Sequence, residues 1–168
     1  MIFKMGLINF EKRYDIAPLF LRLIIGTGFI LHGYAKISRG TGGFEKLLEQ
    51  TGVPFAHVSA LLVPYIELLG GFAILAGGYV SIVAIPLIIT MLVAMFTVQV
   101  HYGFSSVNTI GLTPSGPKFG PPGYEINLLY IAGLISLMFT GSGIFSIDRW
   151  MKQKKPVYSL RKDAKGIQ

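Results

Sequence analysis

The residues best suited to chemistry in this sequence are ionisable side chains within or beside long apolar segments. His32 and Lys36 lie one helical turn apart in FILHGYAKI, and Glu67 stands in the apolar stretch YIELLGG. Histidine and lysine can donate hydrogen bonds and a carboxylate can accept a proton, so this set suits a ligand that exchanges protons. Such groups are costly at membrane depth and usually pair inside a helix bundle. They therefore predict a polar site in an apolar protein.

Composition indicates what kind of protein holds that site. Of the 168 residues, 52% are hydrophobic and 14% are charged, whereas a soluble domain carries about 25% charged residues. The absence of cysteine excludes thiol, Fe–S and zinc-thiolate chemistry from this chain. The net charge of +7 owes much to a basic tail at 151–168. Beside a membrane helix, such a tail is typical of a cytoplasmic anchor, so we expect no nucleic-acid partner.

Four apolar segments are long enough to cross a bilayer as helices. They are Ala17–Ala35, Val58–Ala76, Val80–Val100 and Ile126–Phe145. About 20 helical residues span the hydrocarbon core, and a helix satisfies every backbone polar group there. The sequence therefore predicts an all-α integral membrane bundle of four transmembrane helices over residues 1–150, followed by the basic tail.

The two longer loops differ in character. Residues 38–57 contain Phe44, Leu47 and Leu48 at helical spacing, which predicts a short amphipathic helix that either covers the bundle as a lid or only packs against it. Residues 103–124 are rich in Gly, Pro and Ser and predict an irregular cap. Lys and Arg are concentrated in the two terminal flanks, so both termini are predicted to be cytoplasmic and both longer loops to lie outside.

Polar residues from distant parts of the chain fall at one membrane depth when the helical rise is applied to each segment. The outer level contains His32, Lys36, Gln99, His101, Glu125 and Asn127, and Glu67 lies deeper. From this level we predict a pocket. Its candidate residues are His32, Lys36, Glu67, His101 and Glu125.

Arg22 is the predicted partner of Glu67, because its long side chain can reach toward the carboxylate. A structural ion pair that fixes helix register is one interpretation. The other is that Glu67 accepts a proton or binds a ligand headgroup. Small residues also predict close packing between the first two spans. The glycines concerned are Gly26, Gly33, Gly70 and Gly71.

Two kinds of ligand fit these polar residues. His32 and His101 could ligate haem iron or another metal, but no wider ligand motif accompanies them, so we expect neither. A quinone fits better, since its carbonyls need hydrogen-bond donors and its reduction needs protons. Apolar walls for it could come from Phe29, Met91, Met95 and Phe96.

Three motifs in order, HGxxK at residues 32–36, ExxGG at 67–71 and GYExNLL at 123–129, resemble the DoxX/DoxD-like family of small four-helix membrane proteins. The resemblance covers residues 16–150 and includes LRLIIGTGFILHGYAKI and YIELLGGFAILAGGY. It implies a bacterial inner-membrane protein. Some members are linked to quinone reduction during sulfur-compound oxidation, and others to respiratory oxidases or oxidative-stress assemblies. Residues on the family motifs are His32, Lys36, Glu67, Gly70, Gly71, His101 and Glu125.

These observations favour a quinone-associated redox or accessory subunit of a respiratory, sulfur-oxidation or oxidative-stress complex. Its expected partners are the lipid bilayer and other membrane or periplasmic subunits, or a second copy of the chain. A non-enzymatic scaffold that anchors a partner complex is the alternative. A small transporter with Glu67 and Arg22 along its pathway is less favoured, because four short helices leave little room for alternating access.

Overall fold

The computed structural model describes residues 16–153 and is mainly helical, which confirms the predicted fold class. Its helices are α1 (Ala17–Ser38), α2 (Thr41–Gln50), α3 (Ala56–Ala76), α4 (Val80–Thr97), α5 (Glu125–Thr140) and α6 (Ile147–Gln153). By length and composition, α1, α3 and α4 can cross a membrane, and α5 is a shorter apolar helix of 16 residues. The protein is therefore an all-α integral membrane protein.

Some of the sequence predictions concern residues outside this range. The N-terminal basic flank, with Lys4, Lys12 and Arg13, and the tail from residue 154 onward lie outside the described residues. The first residues of the predicted tail, 151–153, belong to α6.

Four helices close into a ring around an apolar core. α1 packs on α3, α3 on α4, α4 on α5, and α5 returns to α1. Phe29, Ile74, Leu87 and Leu134 have no exposed surface, and each comes from a different helix of the ring. Side chains outside this core, such as Ile24 and Phe139, are more than two-thirds exposed. This outward apolar surface is what a bundle in lipid requires.

Glycines let α1 and α3 approach to backbone contact. A Cβ at Gly33 would lie 2.6 Å from Leu68 N and from Pro64 O, and a Cβ at Gly71 would lie 2.7 Å from Ile30 N. The predicted glycine packing is confirmed for these positions and for Gly26. Gly70 differs, because its open side faces the Leu87 side chain of α4.

The two ends of the bundle differ. The end that carries α2, a 3-10 turn (Gln99–Tyr102) and residues 103–124 is called the loop end here, and the other is the terminal end. Residues 103–124 are not wholly irregular as predicted. They form an antiparallel hairpin of β1 (Thr109–Thr113) and β2 (Gly116–Phe119). Gly116 turns the chain at a positive φ of 122°, so local turn chemistry permits a short ladder in a Gly- and Pro-rich stretch.

Two predicted spans extend too far. α4 ends at Thr97 and continues as the 3-10 turn, where the sequence predicted a helix to Val100. α5 ends at Thr140 instead of Phe145, because Gly141 and Gly143 adopt positive φ values of 77° and 67°. Left-handed glycines are common helix terminators. Residues 141–146 consequently form a turn whose carbonyls are free to accept hydrogen bonds.

Arg22 fills that turn, and its predicted pairing with Glu67 is wrong. Arg22 is 1% exposed, and its guanidinium donates five hydrogen bonds to backbone carbonyls. The acceptors are Ile74 at 3.1 Å, Leu75 at 2.8 Å, Ser142 at 2.7 Å, Ile144 at 3.0 Å and Phe145 at 3.0 Å. All five guanidinium N–H groups can be satisfied in this way. Arg22 therefore ties the end of α3 to the turn after α5 at the terminal end.

Candidate functional site

A buried ion pair between Lys36 and Glu67 lies at the centre of the candidate site. Lys36 comes from the last turn of α1, and its Nζ lies 2.6 Å from Oε1 and 2.5 Å from Oε2 of Glu67. The carboxylate side chain is 2% exposed and the lysine side chain 27%. Helical side chains lean toward the N-terminus of their helix, so Lys36 reaches down into the bundle. It meets there the carboxylate that the sequence placed at a deeper level than Lys36.

The pair forms part of the wall of a cavity of about 590 Å³ at the loop end. We call this space the ligand cavity. Its polar wall consists of His32, Lys36, Arg39, Glu67, Gln99 and Asn127. The remaining wall is largely apolar and includes Phe44, Leu47, Met91 and Ile126. A mostly apolar cavity with a few convergent polar groups is the usual form of a small-molecule site.

Gln99 lines this cavity and has a side-chain oxygen without a hydrogen-bond partner. Its Oε1 is buried and accepts no hydrogen bond from any residue between 16 and 153. Burying an unsatisfied acceptor costs about 1–3 kcal/mol, so a ligand that donates a hydrogen bond here would recover that cost. Among the cavity residues, Gln99 is therefore the one whose hydrogen-bond donor would have to come from a ligand.

Asn127 completes the polar wall on α5. It is 4% exposed, and its Nδ2 donates to the Met91 carbonyl at 3.3 Å. The sequence placed Gln99 and Asn127 at the outer level but did not select them as site residues. The helical repeat could have identified Gln99, because it follows the buried Met91 and Met95 at intervals of four residues and so lies on the same side of the helix.

His32 is held by aromatic contacts. Its ring stacks on Tyr130 with centroids 5.9 Å apart, and Tyr130 meets Phe29 edge-on at 5.3 Å. A Cβ at Gly28 would overlap the Tyr130 hydroxyl, so the glycine makes room for this ring. The imidazole is thereby fixed at the cavity wall, where it can donate or accept a hydrogen bond.

His101 and Glu125, which the sequence also proposed, do not line the ligand cavity. His101 is exposed in the 3-10 turn. Glu125, directly before the predicted span, accepts hydrogen bonds from the backbone N–H of Ser106 at 2.9 Å and from its hydroxyl at 2.7 Å. These two bonds lower the pKa of the Glu125 carboxyl. Glu125 therefore holds the outer loop in place.

The amphipathic α2 is the cover of the cavity, as its sequence predicted. Phe44 and Leu47 line the cavity, and Leu48 is 5% exposed against α3. Lys36 Nζ lies 4.8 Å from the centroid of the Phe44 ring, a distance typical of cation–π contacts. Glu45 Oε1 and His57 Nδ1 are 2.9 Å apart and connect α2 to the start of α3.

Across the described part of the chain, no group of three or more His, Cys, Asp or Glu side chains is placed to hold an ion.

Of the four apolar residues that the sequence suggested as walls, Met91 lines the cavity. Phe29 belongs to the core, Met95 is buried outside the cavity, and Phe96 is 64% exposed.

Known proteins resemble this chain. The DoxX family model matches residues 17–100, which is half of the 168-residue chain. Inner membrane protein YqjF of Escherichia coli is 30% identical over 144 residues, covering 86% of this chain and 98% of the relative. Putative oxidoreductase CatD of Bacillus subtilis is 26% identical over 86% of this chain and 94% of its own length. Uncharacterized membrane protein Rv3486 of Mycobacterium tuberculosis is 28% identical over 84% of this chain and 85% of its own length. No solved structure matches significantly.

Proposed function

Because the chain belongs to the DoxX family of membrane proteins, we propose that it is a bacterial inner-membrane protein that binds a quinone in the ligand cavity. The observation that carries this proposal is the buried Lys36–Glu67 pair in a mostly apolar cavity beside the unpartnered Gln99 Oε1. The relative named inner membrane protein supports the location. The relative named putative oxidoreductase supports the redox class.

The residues present fit a quinone headgroup. Lys36 Nζ and the His32 ring can donate hydrogen bonds to carbonyl oxygens, and Gln99 Oε1 can accept one from a hydroxyl. The Glu67 carboxylate can accept a hydrogen bond from a hydroxyl beside them, and Lys36 compensates its negative charge in the apolar cavity. The quinone itself supplies the electron-accepting chemistry. The apolar walls exclude water from these contacts and strengthen them.

We assign the role of an accessory or redox subunit to the chain. It has no cysteine, so a thiol or Fe–S relay for electrons must come from another protein. The proposed assemblies are those for respiration, sulfur oxidation or oxidative stress, with other membrane or periplasmic subunits or a second copy as partners.

We place the loop end outside the cytoplasm and both termini inside, following the concentration of Lys and Arg in the terminal flanks. The cysteine-free sequence makes a labelling test simple. In intact cells, an impermeant maleimide should label Ser115→Cys in the hairpin turn and should not label Ser159→Cys in the tail. The reverse pattern would overturn this orientation.

Quinone binding to the purified protein in lipid nanodiscs tests the function. Wild type should bind a quinone saturably, and mass spectrometry should detect a co-purified quinone. His32→Ala and Glu67→Gln should each weaken binding about tenfold, since each removes a contact worth about 1.4 kcal/mol. Lys46→Met, which removes an exposed lysine of α2, should bind as wild type does. If both site variants bind as tightly as wild type, the site is wrong.

A scaffold that anchors a partner complex is the second candidate. Apolar side chains of the outer loop are unusually exposed, with Leu112 at 85%, Val107 at 67% and Phe119 at 61%. Exposed apolar patches often mark interaction surfaces. Under this function, Leu112→Ser should abolish recovery of a stable complex in mild detergent, while His32→Ala should have no effect on any ligand.

A further inference from the structure

A second cavity of about 360 Å³ lies beside the ligand cavity, between α2, α3 and α4. We call it the side groove and define it by Val63 and Ile66 of α3 with Ile89 and Val93 of α4. The two spaces have five wall residues in common, which are Lys36, Phe44, Glu67, Ala94 and Val98. The ion pair therefore stands where they meet.

The side groove offers no polar partner comparable to Gln99. The Thr90 hydroxyl donates to the Leu87 carbonyl at 2.8 Å, and the Thr97 hydroxyl donates to the Val93 carbonyl at 2.7 Å. Both threonines thus satisfy their hydroxyl protons within their own helix. Ser59 adds a third hydroxyl near the start of α3, and the other wall residues, apart from the shared ion pair, are apolar. The ligand cavity suits a polar head, and the side groove suits an apolar chain.

The side groove also reaches the surface that faces lipid. Ile89 is 55% exposed and Val93 is 39% exposed, and both belong to α4, which carries no ionised residue. A groove that starts at such a surface and ends at a buried ion pair connects the bilayer interior to the polar site.

We propose that the side groove holds the hydrocarbon tail of the ligand whose head lies at Lys36 and Glu67, and that this ligand enters sideways from the bilayer between α3 and α4. The occupant is the isoprenoid tail of a membrane quinone. The inference rests on the proposed quinone function, to which it adds the route of entry and the need for a lipid-soluble tail.

A bulky side chain in the side groove tests this. Val63→Phe places an aromatic ring in the groove, away from the ligand cavity. Binding is compared for two quinones with one headgroup, one bearing a long isoprenoid tail and one bearing none. Val63→Phe should weaken binding of the tailed quinone at least tenfold and leave the tailless quinone within twofold of wild type. Its matched control is Leu62→Phe, at a 55% exposed neighbour that lines neither cavity, and both quinones should bind it normally.

A second pair of variants changes residues of α4, so that the test does not depend on the folding of one variant. Ile89→Phe should repeat the selective loss, and Ile85→Phe, one turn away on the lipid-facing side, should not. Retained binding of the tailless quinone shows that the variants are folded. If both groove variants bind both quinones as wild type does, or lose both equally, the side groove does not hold the tail, although the quinone site stands. If wild type binds neither quinone, the proposed function fails together with this inference.

Discussion

Lys36 Nζ lies 2.6 Å from Oε1 and 2.5 Å from Oε2 of Glu67, across 31 residues of sequence. This ion pair joins α1 to α3 and stands where the ligand cavity meets the inner end of the side groove. Single and double substitutions of Lys36 and Glu67 can therefore separate the contribution of the pair to stability from its contribution to ligand binding.

The first prediction concerns the free energy of unfolding. Lys36→Met should destabilise the protein by about 3–5 kcal/mol, because it leaves the Glu67 carboxylate, which is 2% exposed, uncompensated. Glu67→Leu should cost less, because the Lys36 side chain is 27% exposed and its ammonium can turn toward solvent. The double variant should return close to wild-type stability, since an apolar pair can replace a buried ion pair. Unfolding in detergent by chemical denaturant measures this.

The double variant should nevertheless fail to bind quinone. Restored stability with lost binding would assign the pair to ligand recognition. Restored stability with normal binding would instead show that the pair only joins the helices, and it would contradict the proposed function.

The second prediction concerns Gln99, whose Oε1 is buried without a partner among residues 16–153. Gln99→Leu should leave stability unchanged or raise it by about 1–3 kcal/mol, the cost of an unsatisfied buried group. It should also weaken quinone binding about tenfold. Gln50→Leu, at the exposed end of α2, should change neither quantity. A drop in stability for Gln99→Leu would mean that the side chain supports the fold.

The third prediction concerns Arg22, which donates five hydrogen bonds to backbone carbonyls. Lysine has three donors, so Arg22→Lys leaves at least two carbonyls unpaired, and we expect a loss of about 2–6 kcal/mol. Quinone affinity of the folded fraction should not change, because Arg22 lies outside both cavities. Arg39→Lys, at an exposed position after α1, should be neutral in a thermal unfolding assay.

The fourth prediction concerns the contact of α1 with α3. In Gly71→Ala the new methyl group would lie 2.7 Å from Ile30 N and 2.8 Å from Gly26 O. Backbone atoms cannot yield there, so the helices must separate and the melting temperature should fall clearly. Gly42→Ala in α2 meets nothing within 4 Å and should be stabilising by about 0.5–1 kcal/mol. Equal effects of the two substitutions would contradict this packing.

The fifth prediction concerns pH and the outer loop. The hydrogen bonds from Ser106 lower the pKa of Glu125 in the folded protein. The stabilisation that these hydrogen bonds give the folded protein is therefore fully present at neutral pH. It is lost as the pH falls below the ordinary carboxyl pKa and then through the lowered pKa of Glu125. The protection factor of the Ser106 amide, which is the ratio of its intrinsic to its observed exchange rate at each pH, should decrease over this acidic range. Glu125→Gln should show faster exchange at neutral pH and no such acid-dependent step.

The local pattern of the sequence was enough to predict the helices and much of the packing. Apolar length predicted α1, α3 and α4, and amphipathic spacing predicted α2. Three of the four glycines proposed for helix packing lie at the α1–α3 contact. Helix ends were predicted less well, because the φ angles of Gly141 and Gly143 depend on the turn that Arg22 binds.

The sequence by itself determined that this is an apolar helical protein with His32 and Lys36 at one membrane depth and Glu67 at a deeper level. Membrane depth follows from counting residues along a helix, so it can be read from one segment at a time. Which polar groups meet depends on the rotation of each helix about its axis, and that is set by packing between helices. Only the tertiary structure therefore decided that Glu67 pairs with Lys36 and Arg22 with carbonyls, and that Gln99 and Asn127, instead of His101 and Glu125, line the cavity.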